Sequence, residues 1–331
     1  MEQRVLGRTG LKVSVLGFGC GAVGGLMVKG EPADQERAVA RALELGINYF
    51  DTAAQYGAGR SETNLGRVLK SLKPDLYLGT KVRLPPTEPA QIGAAISAAL
   101  EASLKRLQLE RVDLFQFHNE IVDRTSGGEF AADTVLDEVV AAFERLRQEG
   151  KIRFFGITAV GGTSALHQVV DARAFDTAQV SYNLLNPSAG GAVPSGFPAQ
   201  DYGNLLGHAR AAEMGVINIR VLAGGALSGS EDRHPLGSPP PDPIGSGGSY
   251  ATDVARARRL EPLVREGHAD SLVEASLRFA IANDAVSTVL VGYSTLEQLE
   301  YAARAIGKGK LPPAALARAA ELQRGFAGEP R

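Results

Sequence analysis

An acid, a phenol, an ammonium and an imidazole stand in this chain where short apolar runs give out. Asp51 follows Tyr49-Phe50, two strand formers placed after a helical stretch that stops at Leu45-Gly46, and Tyr56 sits in the loop beyond, closed by Gly57 and Gly59. The next apolar run, Y-L-G-T-K, ends in Lys81, and the one after it, V-D-L-F-Q-F-H, ends in His118. Each is ordinary alone: a strand-end lysine is usually solvated, and a strand-end histidine is more often a hydrogen-bonded core residue. Three consecutive strands ending in Asp, Lys and His, with a Tyr close by, form a set able to move protons if the sheet brings them into one mouth. The C-terminal edge of a parallel sheet is where α/β proteins place such groups.

The elements that must position them repeat along the chain. Residues 5–18 read as a hairpin followed by a buried strand, Val13–Phe18. Helical spacing follows over Asp34–Leu45, Ser61–Leu72 (with Ser61 as the expected N-cap), Gln91–Leu107 and Val135–Gln148. Strands are expected near Val15, Tyr49, Leu78, Leu114, Phe155, Val180, Ile219 and Leu290, each followed by a helical segment. Eight strand–helix units in 331 residues predict an α/β fold, a (β/α)8 TIM barrel over residues 1–331 as a single domain, with the N-terminal hairpin capping the barrel bottom. An open dinucleotide-binding sheet fits worse, because the glycines at 17, 19, 21, 24 and 25 do not have the G-x-G-x-x-G spacing. Two connections, Leu184–Tyr202 and Ala223–Tyr250, are too long for turns and read as functional loops at the mouth.

Composition narrows the class. Hydrophobic residues make up 44% and charged residues 22%, as expected of an enzyme with a large core, and a net charge of −2 without a basic cluster gives no nucleic-acid surface. Cys20 is the only cysteine, so no internal disulfide or cysteine metal cage can form. No metal ligand set is expected. Without a basic N-terminal region ahead of an apolar run, or any 18-residue apolar stretch, a cytoplasmic protein with no membrane association is expected.

The motifs resemble those of the aldo-keto reductases, in that family's order and over nearly the whole chain. They are L-G-R-T-G-L-K-V-S-V-L-G-F-G, F-D-T-A-A-Q-Y-G-A-G-R-S-E-T-N-L-G, G-T-K, R-V-D-L-F-Q-F-H, G-K-I-R-F-F-G-I-T, Q-V-S-Y-N, the turn Leu222–Gly229 and V-G-Y-S-T-L-E-Q-L-E. The resemblance implies that Asp51, Tyr56, Lys81 and His118 form a catalytic tetrad for metal-free hydride transfer between NADP(H) and a carbonyl or alcohol. That role is chemically coherent. An unperturbed Tyr has a pKa of about 10 and is a poor acid at neutral pH; a Lys81 ammonium beside it would favour the phenolate. Asp51 would keep Lys81 charged, and His118 would position the carbonyl oxygen.

Cofactor contacts implied by the resemblance are Thr158, Gln179, Arg220, Leu222, Gly224, Gly292, Ser294 and Gln298. Departures occur where the family has a Ser-Asn pair (Thr158-Ala159), a ring-stacking Tyr (Ile219), a small hydroxyl residue (Arg220) and an Asn in the last helix (Ala302). Backbone N–H groups at the start of the helix after the eighth strand would suit an adenosine 2′-phosphate, so NADP(H) is expected ahead of NAD(H), by a modest margin because Arg304 lies further along the helix, beyond expected reach. Specificity is expected from loops Leu26–Lys29, Asn119–Phe130 and Leu184–Tyr202, whose polar and small residues favour a hydroxylated substrate such as a sugar. The alternatives are an NAD(H)-dependent sugar or alcohol dehydrogenase of the same fold and a non-catalytic cofactor sensor; oligomeric state is not legible.

Overall fold

The computed structural model describes residues 1–330. Eight parallel strands close into a barrel: β3 (Leu16–Gly19), β4 (Tyr49–Asp51), β5 (Tyr77–Val82), β6 (Val112–Phe117), β9 (Ile152–Ala159), β10 (Thr177–Ser181), β11 (Gly215–Ile219) and β12 (Val286–Gly292), which returns to β3. This is the expected (β/α)8 TIM barrel, with helices packed around it. Two further pairs lie outside it: the hairpin of β1 (Gln3–Val5) and β2 (Lys12–Ser14), and the short β7 (Ile121–Val122) and β8 (Phe130–Ala131).

The hairpin plugs the barrel bottom. Leu6, Leu11 and Val13 form one apolar cluster with the barrel residues Tyr49, Leu114 and Ile217. Approach is close enough that a Cβ on Gly7 would lie 2.1 Å from the Gly215 amide nitrogen, so only glycine fits there. The first barrel strand starts later than the sequence predicts, at Leu16, and Val13 belongs to the hairpin. Ser14 and Asn48 cause this: Asn48 Oδ1 accepts the Ser14 N–H at 2.6 Å and Ser14 Oγ accepts the Asn48 N–H at 3.0 Å, ending the hairpin between them.

Helix Arg60–Leu72 is capped by Gly59 in the left-handed region, not by Ser61. The Ser61 hydroxyl is drawn inward, donating to the Cys20 carbonyl at 2.8 Å, and so ties the start of this helix to the end of β3. The predicted helix Val135–Gln148 begins earlier, at Ala132, and passes through a π-turn over Val135–Val139.

The two long connections are ordered by their own polar groups. In Leu184–Tyr202, the Asn186 amide donates to the Gln200 carbonyl at 2.8 Å and also bonds the Gly245 carbonyl, while Leu184, Leu185 and Tyr202 are buried. In Ala223–Tyr250, Arg233 donates to the carbonyls of Gly224, Gly237 (2.9 Å) and Val23 (3.1 Å), so this connection is fastened across the barrel mouth to the loop after β3.

Candidate active site

Strand alternation turns every second residue inward. On β4 that selects Tyr49 and Asp51, on β5 Gly79 and Lys81, on β6 Leu114 and Gln116, and on β9 and β10 Thr158 and Gln179. The lower layer is apolar and meets the hairpin; the upper layer is polar and centres on Asp51.

The Asp51 carboxylate is buried and fully engaged. One oxygen pairs with the Lys81 ammonium. The other accepts from the Gln179 amide at 2.8 Å, the Gln116 amide at 3.1 Å and the Tyr49 hydroxyl at 3.2 Å. Lys81 also donates to the Thr52 carbonyl at 2.8 Å and to the Tyr56 hydroxyl at 3.2 Å. Burial alone would lower its pKa, but the Asp51 carboxylate and the Tyr56 oxygen outweigh that and raise it, so the side chain is an ammonium. A charge this deep is tolerable only because its donors are spoken for. Next to Lys81, on the outward face of β5, Thr80 donates to the buried Glu62 at 2.6 Å, and Glu62 also takes Arg106 at 2.6 Å.

His118 follows β6 and stands edge-on to Tyr56, the ring centroids 6.5 Å apart. Burial, then the charges of Lys81 and Arg83, push its pKa down to about 3, so the ring is neutral. Its Nδ1 lies 2.7 Å from the Thr158 hydroxyl. Thr158, expected to face a cofactor amide, is therefore engaged with His118, and Gln179 with Asp51. The Thr158 hydroxyl is also 3.4 Å from Gln179 Oε1; when it donates to Nδ1 rather than to Gln179, the ring's proton sits on Nε2, where it can be offered to a substrate oxygen.

A cavity of about 750 Å³ opens from this cluster. Its wall contains Asp51, Tyr56, His118, Thr158, Gln179, Arg220, Leu222, Gly224, Gly292, Ser294 and Gln298, so of the expected site residues only Lys81 lies beneath it. Ile219 is on the wall; Ala159 and Ala302 are buried off it. Arg220 is partly buried in a left-handed conformation (φ 56°). Burial lowers its pKa, with Tyr56, Asp242 and Asp253 offsetting part of the fall; its hydrogen bond is to the Asp242 carbonyl at 3.1 Å, and no acidic side chain pairs with it among the described residues.

Three expectations change. Arg304 does reach the wall, together with Glu297 and Tyr301, because they follow one another at i, i+4 and i+7 on one helix face. Ser294 is not an open phosphate donor: its hydroxyl donates to the Gly24 carbonyl at 2.6 Å and its N–H to Gln298 Oε1 at 2.8 Å. No residue of Leu26–Lys29, Asn119–Phe130 or Leu184–Tyr202 lines the cavity. Leu26, Met27 and Val28 are buried, and the Asn119 amide fixes its loop to the carbonyls of Leu84 (2.7 Å) and Gly128 (2.8 Å). The wall comes instead from Gly21–Gly24 and from the connection after β11, a role that the glycine-rich stretch hinted at without its spacing saying so.

Residues 15–324 match the family model described as the aldo/keto reductase family. L-galactose dehydrogenase of Arabidopsis thaliana is 30% identical over 306 residues, covering 91% of this chain and 86% of that protein. L-glyceraldehyde 3-phosphate reductase of Escherichia coli (strain K12) is 28% identical over 329 residues, with 91% and 86% covered. Among solved structures, the holo form of aldo-keto reductase AKR11C1 from Bacillus halodurans superimposes with a TM-score of 0.72 at 27% identity, covering 97% of this chain and 96% of that one. With the barrel, its hairpin plug and the matched motifs in place, this chain belongs to the aldo/keto reductase family and is an oxidoreductase of carbonyl and alcohol groups.

Proposed function

We propose that this enzyme carries out reversible reduction of a sugar-type aldehyde or ketone at the expense of a nicotinamide dinucleotide, with Tyr56 as the proton donor and acceptor. The observation that carries this reading is the Lys81–Tyr56 hydrogen bond of 3.2 Å, backed by a buried Asp51 and open to a long cavity. The cavity's residues fit a dinucleotide: about 750 Å³ lies within the ordinary range for ligand sites, and the Arg220 guanidinium, without an acidic partner, faces a space suited to a pyrophosphate. Arg220, Leu222 and Gly224 would hold that pyrophosphate, and Gly292 and Gln298 the adenosine end.

A nicotinamide bound there supplies or takes up the hydride. This chain's own residues manage the oxygen. Negative charge building on a carbonyl oxygen is met by the Tyr56 hydroxyl and by His118, whose neutral ring positions that oxygen without competing to ionise. Tyr56 gives up its proton, and Lys81, 3.2 Å away, stabilises the phenolate that remains. Asp51 keeps Lys81 charged and pointed at Tyr56 rather than taking part in proton transfer. In the oxidative direction the same groups act in reverse.

A sugar-type substrate is favoured by what two relatives are named for, L-galactose and L-glyceraldehyde 3-phosphate, and by a chain without tryptophan. The choice between NADP(H) and NAD(H) falls to the far end of the groove. The test is turnover with each dinucleotide on a panel of aldoses, simple aldehydes and flat aromatic aldehydes. Reduction or oxidation of sugars is expected to dominate; a dinucleotide that binds and never turns over on any panel member would overturn the enzymatic reading.

A further inference from the structure

We propose that Glu297 selects the cofactor, its carboxylate accepting from the adenosine ribose 2′-hydroxyl and turning away a 2′-phosphate, so that this chain works with NAD(H) in preference to NADP(H). The inference deepens the reading of the groove as a dinucleotide site and rests on it. Its basis is how most of the donors at that end are already spent. Ser294 gives its hydroxyl to Gly24 and its N–H to Gln298. The Gln298 N–H goes to the Thr295 hydroxyl at 3.3 Å, as the N-cap of helix Leu296–Gly307. The Glu297 carboxylate stands on the groove wall at this helix start, held below its ordinary pKa by its own backbone N–H and the Thr295 hydroxyl. A negative side chain thus occupies the helix start, where a phosphate would have found free amides and a favourable dipole.

The surrounding charges do not offset it. Between Val286 and Ala303 the chain has no lysine or arginine. Arg233 also lines the cavity, but its guanidinium is committed to Gly224, Gly237 and Val23. Arg220 lies at the pyrophosphate end, which leaves Arg304 as the cation at the adenosine end. It stands two helical turns past Glu297, about 10 Å along the axis, with its guanidinium 6.0 Å from the Tyr301 ring. That pair is placed to stack a planar base, which both dinucleotides carry. A 2′-phosphate brought against Glu297 meets like charge, whereas a 2′-hydroxyl offers a donor to an acceptor. A carboxylate reading the ribose hydroxyl is the same physical solution that open dinucleotide sheets use.

Calorimetric titration of the purified enzyme with NADH and with NADPH, in the absence of substrate, tests this. The wild-type chain is expected to bind NADH at least about tenfold tighter. Glu297→Gln, an exposed and nearly isosteric change, is expected to narrow the gap chiefly by tightening NADPH, and Arg304→Ala to weaken both ligands alike. NADPH binding as tightly as NADH in the wild type would overturn the proposal, as would an unchanged ratio in Glu297→Gln or a loss confined to NADPH in Arg304→Ala. If neither dinucleotide binds at millimolar concentration, the dinucleotide reading falls and this inference with it.

Discussion

The two ends of the groove are built in opposite ways. At the barrel end, the proposed reacting groups project from β4, β5 and β6 or directly follow them, and all but the loop-borne Tyr56 are set by strand register. There Asp51 accepts from four side chains and Lys81 donates to three oxygens, so neither can shift without breaking several bonds. At the other end, Glu297, Gln298, Tyr301 and Arg304 stand on one helix face and, apart from the half-buried Tyr301 hydroxyl, which meets Ser271 Oγ at 2.5 Å, bond within their own segment. On the proposed reading, chemistry is held by a closed sheet, while cofactor choice rests on a helix face at the surface. The second property can drift without the first.

The contrast is tested hardest at Tyr56. Tyr56→Phe is expected to lower turnover by on the order of 10²–10⁴-fold while dinucleotide affinity stays within a few-fold. Near-normal turnover would show that the barrel end does not carry the proton transfer.

Lys81→Met tests whether that end is as tightly coupled as its bonds imply. Leaving the Asp51 carboxylate buried without its cation is expected to cost roughly 3–5 kcal/mol of stability, read from denaturant unfolding. The pH dependence of the surviving activity should also move, because the charge beside Tyr56 is gone. A stable variant with an unchanged pH profile would mean that Lys81 only shapes the pocket.

Thr158→Val probes the barrel end more finely. Removing the hydroxyl 2.7 Å from His118 Nδ1 frees the ring to adopt the other tautomer. An effect of about tenfold on kcat, worth one hydrogen bond, is expected with dinucleotide affinity unchanged. Weakened dinucleotide binding with kcat intact would instead place Thr158 on the cofactor amide.

A further effect is on stability against pH. His118 falls from an ordinary value of 6.5 to about 3 on folding. Between those values the unfolded chain binds a proton that the folded chain refuses, so stability is lost as pH drops through that window. The slope from this one group is at most about 1.4 kcal/mol per pH unit. Subtracting the stability curve of His118→Asn from that of the wild type should leave this bend. Parallel curves would mean that the ring ionises in the folded protein as it does in the unfolded.

Much of the barrel end is legible in the amino-acid sequence, because a parallel sheet makes position along the chain equivalent to position in space. Period-two alternation puts Asp51 and Lys81 on the same side of their strands as Gln116, and a closed barrel leaves them one place to meet. Gln116 could have been found by that same alternation, since it lies on β6 only one residue short of its end.

Local periodicity and chain order are enough to specify the eight-stranded barrel, its hairpin plug and the residues at the strand ends. Which donors stay free is settled by folding alone. Ser294 and Gln298 have the right chemistry for a phosphate, but hydrogen bonding to each other, to Thr295 and to the distant Gly24 spends part of it. Thr158 and Gln179 likewise turn toward His118 and Asp51, on neighbouring or opposite strands. A hydrogen-bond donor can be counted from the chain, but whether it is satisfied depends on residues brought near by folding, and sequence separation carries no information about that.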